Sequence, residues 1–230
     1  MPWAHGAVKA VVMDFVIAVD GPAASGKGTV ANGLAAAYGL PYLDTGTLYR
    51  AVGVSVLQTG GSPEDPDMAT AAALALQPHR IDPEAIRTAA AGEAASQVAV
   101  HPGVRQALAA LQRQFTETPG GAVLDGRDIG TVIAPAAPAK LYVTADPEVR
   151  AARRWRQLVG QGETISLEEV EADIRRRDLR DKGRAAAPLV AAADAVLLDT
   201  SQMTIEQAAD AARRIVETAR ARWLVHQSDG

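Results

Sequence analysis

The order of apolar runs and helical patterns along the chain predicts an α/β protein, a five-stranded parallel sheet covered by helices on both faces. Short apolar runs without clean polar alternation recur between helical stretches, as strands buried on both faces require. Acidic residues (Asp20, Asp44, Asp125, Asp199) stand at or just past the ends of these runs and so gather along one edge of the sheet. A glycine-rich loop joins the first run to the first helix, and parallel sheets hold their ligands at that edge.

The first strand is Phe15-Val16-Ile17-Ala18-Val19-Asp20. It runs directly into Gly21-Pro22-Ala23-Ala24-Ser25-Gly26-Lys27-Gly28-Thr29, which completes the pattern G-x-x-x-x-G-K. The glycines let the chain bend so that backbone N–H groups turn inward toward phosphate oxygens, and Lys27 adds a mobile positive charge. The helix that follows, 27–38, offers its N-terminal amides and positive dipole end. Such loops usually carry a hydroxyl directly after the lysine; here that position is Gly28 and the hydroxyl is displaced to Thr29. The pattern predicts a three-layer fold of the P-loop NTPase type.

Downstream, a short strand Pro41–Leu43 leads into a helix over 46–59. Further strands are expected at 122–125, 140–144 and 195–199, with helices at 103–117, 147–160 and 204–223. Two stretches fall outside this alternation. Residues 61–102 are alanine-rich and helical in pattern, broken at Pro78 and Pro83; residues 158–186 carry Arg175, Arg176, Arg177, Arg180, Lys182 and Arg184. Both read as insertions on the core. The expected division is core at 13–60, 106–157 and 187–225, a short acceptor-side insertion at 61–105, an arginine-rich lid at 158–186, and a tail at 226–230. Residues 1–12 are expected to be an extension ahead of Met13 or a misassigned start.

A chain of 230 residues holds one well-buried α/β core. A net charge of −4 and 4% aromatic residues argue against a nucleic-acid polymer as partner, since neither counterion displacement nor base stacking is provided for. With no cysteine, disulfides and thiolate metal sites are excluded. His5, His79, His101 and His226 show no ligand-like spacing. No run reaches the ~18 apolar residues of a membrane span, and Asp14 interrupts the N-terminal apolar stretch. A cytoplasmic monomer is expected.

Four groups are placed for chemistry. Arg50 lies one turn past Gly46 in Asp44-Thr45-Gly46-Thr47-Leu48-Tyr49-Arg50 and can clamp a phosphate. Asp125 ends an apolar run like a Walker-B carboxylate, able to reach a water on Mg²⁺. Gly126 follows it, where many ATPases place a glutamate, which favours transfer to an acceptor over hydrolysis. Arg127 and Asp128 share the next turn, one suited to a phosphate and one to an amino donor. The guanidinium cluster at 175–184 can neutralise charge in a phosphoryl-transfer transition state and, as a flap, keep water out. Ser96 and Arg105 complete the set.

Taken together these segments resemble the bacterial cytidylate kinases, a nucleoside-monophosphate kinase family. The matching stretches are Asp20–Thr29, Leu43–Arg50, Ala94–Ala99, Asp125–Thr131 and Arg177–Arg184 with Ala187-Pro188-Leu189. The resemblance implies ATP-dependent phosphorylation of CMP and dCMP, with ATP on Gly21–Thr29 and Mg²⁺ as cofactor. It implies that Arg50, Arg127 and Arg184 bind the acceptor phosphate, that Arg177 and Asp181 reach the sugar, and that Ser96, Arg105 and Asp128 read the base. Thr45 stands in the acceptor site where serine is common. Lys27, Arg177, Arg180 and Arg184 are the expected catalytic cations. Many relatives carry a small extra sheet in the first insertion; residues 61–102 show no such strand pattern. Another small-molecule P-loop kinase is the alternative reading. A guanine-binding switch is disfavoured, because the only asparagine is Asn32.

Overall fold

In a computed structural model, residues 14–228 are described; the expected extension at 1–12 lies outside them. Five parallel strands, β1 (Ile17–Asp20), β2 (Tyr42–Asp44), β3 (Val123–Gly126), β4 (Ala139–Thr144) and β5 (Val196–Asp199), form one sheet in the order β2-β3-β1-β4-β5. The register sets Val19 beside Asp125 and Leu141, and Asp44 beside Asp125. From β1 the chain crosses to β2 at one edge, returns through β3, and then moves to β4 and β5 on the other side. The direction reverses at β1, which opens a crevice above its carboxyl end.

Alternation along β1 assigns the two faces. Ile17 and Val19 pack with Val30 and Leu34 of α1 (Lys27–Tyr38) and Ala212 and Val216 of the last helix. Val16 and Ala18 pack on the opposite face with Leu124, Ile129 and Ile133. Helix α1 ends at Gly39, whose φ of 64° is a left-handed cap. After β2, α2 (Thr45–Gln58) begins without a break, one residue earlier than expected.

The first insertion is helical, as its composition implied: α3 (Pro66–Leu74), a 3₁₀ turn (Pro78–Arg80) and α4 (Ala89–Val98) precede α5 (Pro102–Thr116). Asp65 caps α3 through two amides with Pro66 at the first helical position, and Thr88 caps α4. These helices share an apolar core with α2, built from Leu48, Val52, Val56, Ala69, Val98, Val104 and Leu108. No strand lies between β2 and β3 among the described residues.

Helix α6 (Pro147–Gly160) and α7 (Leu167–Lys182) close a separate small core of Ala151, Leu158, Val170 and Ile174. A reciprocal pair between Ser166 and Glu169 starts α7. The last helix, α8 (Ile205–Ser228), runs further than the sequence pattern indicated.

Candidate active site

The phosphate loop owes its path to close packing as much as to flexibility. A Cβ on Gly21 would lie 2.0 Å from the Val143 carbonyl oxygen, so only glycine lets β1 leave the sheet against β4. Ala24 (φ 58°) and Gly26 (φ 87°) then take left-handed conformations, the backbone alternation that turns amides toward one concavity. No side chain caps α1 at Gly26, which leaves its first-turn amides to a ligand.

Above this loop opens a cavity of about 1140 Å³. Ala23, Ala24, Gly26, Lys27, Gly28 and Thr29 line it. Gly21, Pro22 and Ser25 do not border it: Gly21 packs on β4, and Ser25 is fully buried.

Lys27 Nζ reaches the Pro22 carbonyl over 3.5 Å and Asp125 Oδ2 over 3.9 Å. Burial, reinforced by the charge of Arg127, lowers its pKa to about 8. Asp125, at the end of β3, is buried, and burial pushes its carboxyl above the usual range against the pull of Lys27. Tyr42 Oη donates to its Oδ1 over 2.7 Å. The Thr45 hydroxyl donates to the Asp125 carbonyl over 2.7 Å, so Thr45 borders the cavity with its hydroxyl already engaged.

Opposite the loop stands a wall of guanidinium groups. Arg50 pairs with Asp44 over 2.6 Å. Arg127 Nε donates to Asp181 over 2.9 Å, and Arg184 clasps the other oxygen of the same carboxylate. Burial works to raise Asp181, but these two arginines outweigh it and hold its carboxyl below the usual range. Arg177 and Arg154 face each other across Gly92, where a Cβ would meet both within 3.5 Å. Burial lowers the proton affinity of each, Arg154 to about 10; the charge of Arg177 adds to the effect at Arg154, and that of Arg127 at Arg177. The Nε groups of Arg177 and Arg184 are buried without a hydrogen-bond partner. Buried donors left open in this way are an invitation to an anion.

Arg105 and Asp128 form a buried pair at 2.5 Å, with Arg105 5.8 Å above the Tyr49 ring. Ser96 also borders the cavity, its hydroxyl taken by Arg180 over 2.7 Å. Arg180 does not itself border the cavity; Glu93 offers it two oxygens, the nearer at 2.7 Å. Arg175 and Arg176 are exposed and pair with Glu171 and Asp173 on α7 itself.

Sequence reasoning missed Arg153, Arg154 and Gln157 on α6, all of which line the cavity. Arg153 grips Thr200 through its carbonyl at 2.7 Å and its hydroxyl at 2.9 Å, while Thr200 Oγ1 contacts the Ser25 carbonyl. The only available signal was two adjacent arginines on a polar helix. Thr200 and Met203, just after β5, also border the cavity. One further carboxylate matters: Asp20 is buried at the tip of β1 and accepts amides of Ile129 (2.8 Å) and Gly130 (2.7 Å), the start of a π-helical turn at Ile129–Ile133. Burial outweighs those two bonds and raises it to about 6.

Among the described residues no group of three or more His, Asp or Glu is gathered to hold a metal. Asp125 beside Lys27 is a single buried carboxylate, which fits Mg²⁺ held by one carboxylate together with substrate phosphates. No helix among the described residues is long and apolar enough to cross a membrane.

Fold and loop together define a protein of the phosphate-loop class, its cavity walled on the far side by arginine side chains. The family model for cytidylate kinase matches residues 17–218. A cytidylate kinase of Caulobacter sp. (strain K31) is 68% identical over 211 residues, covering 92% of this chain and 98% of the relative. Those of Caulobacter vibrioides (strain NA1000 / CB15N) and Xanthobacter autotrophicus are 68% and 64% identical, over 91% and 90% of this chain and 99% of each relative. The chain belongs to the cytidylate kinase family.

Proposed function

We propose that this protein transfers the γ-phosphoryl group of ATP to CMP and dCMP, giving ADP and the corresponding diphosphate. The observation that carries the reading is the single cavity with a phosphate loop at one side and unpaired buried arginine N–H groups at the other. Membership of the cytidylate kinase family supports the choice of acceptor.

Two polyanions must meet in line, and their repulsion is the main obstacle. The loop amides and Lys27 hold the donor. Arg50, Arg127 and Arg184 hold the acceptor phosphate, and Arg177 with Asp181 takes the sugar. No general base is needed, because the attacking oxygen belongs to a phosphate whose second pKa is about 6. Mg²⁺ supplies charge neutralisation on the donor phosphates when bound, with Asp125 holding one of its waters. Residues 158–186, with α7 at their centre, serve as the lid and the helices over 61–105 as the acceptor-side insertion. Glu163 Oε1 on the lid already accepts the Ala89 amide of that insertion over 2.8 Å, which shuts water out along one seam.

Base choice follows from donor and acceptor signs. Cytosine presents N3 and O2 as acceptors, suited to Arg105 and Ser96, and an N4 amino donor suited to Asp128. Uracil turns O4 toward that carboxylate, opposing two acceptors at a cost of about 1–3 kcal/mol. A coupled ADP-release assay with CMP, dCMP, UMP, AMP and GMP tests the proposal. CMP and dCMP are expected to be turned over with kcat/KM at least about tenfold above UMP. Failure to form CDP from magnesium, ATP and CMP would refute the function; equal efficiency on UMP would refute the role of Asp128.

A further inference from the structure

Position 28 is where phosphate loops of this pattern carry a serine or threonine hydroxyl, and this chain has glycine there. The space beside that glycine is nevertheless lined by oxygen. A Cβ on Gly28 would lie 3.6 Å from Tyr42 Oη and 3.9 Å from Asp125 Oδ2, ordinary contact distances that place both oxygens within reach of a residue-28 side chain. Tyr42 Oη donates to Asp125 Oδ1 over 2.7 Å, which leaves Oδ2 on the side of Lys27, 3.9 Å from Nζ.

Strand geometry explains why a tyrosine does this. Tyr42 sits opposite Val123 in the β2–β3 register, two residues below Asp125, so both side chains rise from one face of the sheet. Two residues of strand span about 6.6 Å, a distance that a phenol bridges and a shorter side chain does not. A carboxylate turns readily about its last torsion, where the energy wells are broad. A short bond from a fixed phenol removes that freedom.

We propose that Tyr42 is a positioning residue for phosphoryl transfer: its hydroxyl, delivered from β2, replaces the one absent from position 28 and fixes the Asp125 carboxylate so that Oδ2 faces Lys27 and the donor phosphates. This rests on the reading of Asp125 as the carboxylate that holds a water of Mg²⁺. The role differs from that of a buried tyrosine merely satisfying its own hydroxyl, because it acts on ATP only when magnesium is present.

Titration calorimetry of ATP, in magnesium and in EDTA, separates the two roles, with the wild type, Tyr42→Phe and Tyr42→Phe/Gly28→Ser compared. Tyr42→Phe keeps the ring and loses the hydrogen bond; it is expected to weaken binding of ATP with magnesium about tenfold, the low end for a bond to a charged group. Binding in EDTA is expected to be unchanged, as is KM for CMP, while kcat falls. Gly28→Ser in the Tyr42→Phe background is expected to recover most of the loss. Unchanged magnesium-dependent binding in Tyr42→Phe overturns the proposal, as does an equal loss in EDTA or a double variant no better than Tyr42→Phe. A wild-type protein that binds ATP equally well with and without magnesium overturns the reading of Asp125, and with it the proposal; that failure shows in the wild type, the other only in the variants.

Discussion

On the proposed function, the two walls of the cavity attract phosphate by different means. The donor wall is made of backbone: amides of a left-handed loop and the first turn of α1, with Lys27 as the loop's own cation and Arg153 beside Gly26. The acceptor wall is made of side chains. Arg50, Arg127, Arg177 and Arg184 come from α2, the β3 loop and the α7 region; Asp44 and Asp181 hold the first, second and fourth, and Asp173 lies 3.8 Å from Arg177. Backbone donors survive most substitutions around them, whereas a guanidinium wall is removable one residue at a time. The donor side is thus set by main-chain shape and the acceptor side by charge balance.

The largest expected effect tests the one side chain on which the donor wall depends. Lys27→Ala is expected to lower kcat by about 10³-fold or more, since Lys27 is the one cation within the loop Gly21–Thr29 itself. A loss of less than tenfold would mean that the amides suffice. Next comes Arg184→Ala, expected to cost about 10²-fold in kcat/KM for CMP while leaving ATP affinity near wild type. Equal damage to both substrates would erase the distinction between the walls.

Acidity sharpens the comparison further. Lys27 is the perturbed cation of the donor wall, its proton held only to about pH 8 in the free protein because burial disfavours the charge. Its charged form dominates below that value and the neutral amine above it. The kcat/KM for ATP is therefore expected to be level below about pH 8 and to fall about tenfold per pH unit above it. Saturation with ATP should suppress the fall, since bound phosphates hold the proton. A level profile well past that point would show that Lys27 keeps its charge unaided. The smallest effect is expected at Arg176, an exposed arginine paired within its own helix: Arg176→Ala should leave turnover within about twofold and stability within about 0.5 kcal/mol.

How much of this was legible in the sequence follows the same division. The donor wall depends on local order, glycines at fixed spacing between a strand and a helix, and the loop, α1 and the sheet edge could be read directly. The acceptor wall depends on which helix face meets the cavity. Arg177, Asp181 and Arg184 recur at helical spacing and do face it, while Arg175 and Arg176, just before them, lie on the solvent side. Arg180 was drawn off by Glu93, 87 positions away in the chain, which no local pattern announces. Arg153 was invisible for the same reason, because its partner Thr200 is brought to it only by the placement of β5. The π-helical turn at Ile129–Ile133 has no periodic signature, and its start is fixed by the distant Asp20.

That aspartate gives donor and acceptor a common datum. Both its oxygens anchor the ribbon immediately after Arg127 and Asp128, and its own backbone is the last residue before the glycine-rich bend. The place of Arg127 and Asp128 relative to the glycine-rich bend is thereby gauged from a single buried strand tip, whatever the helices that carry the other arginines do.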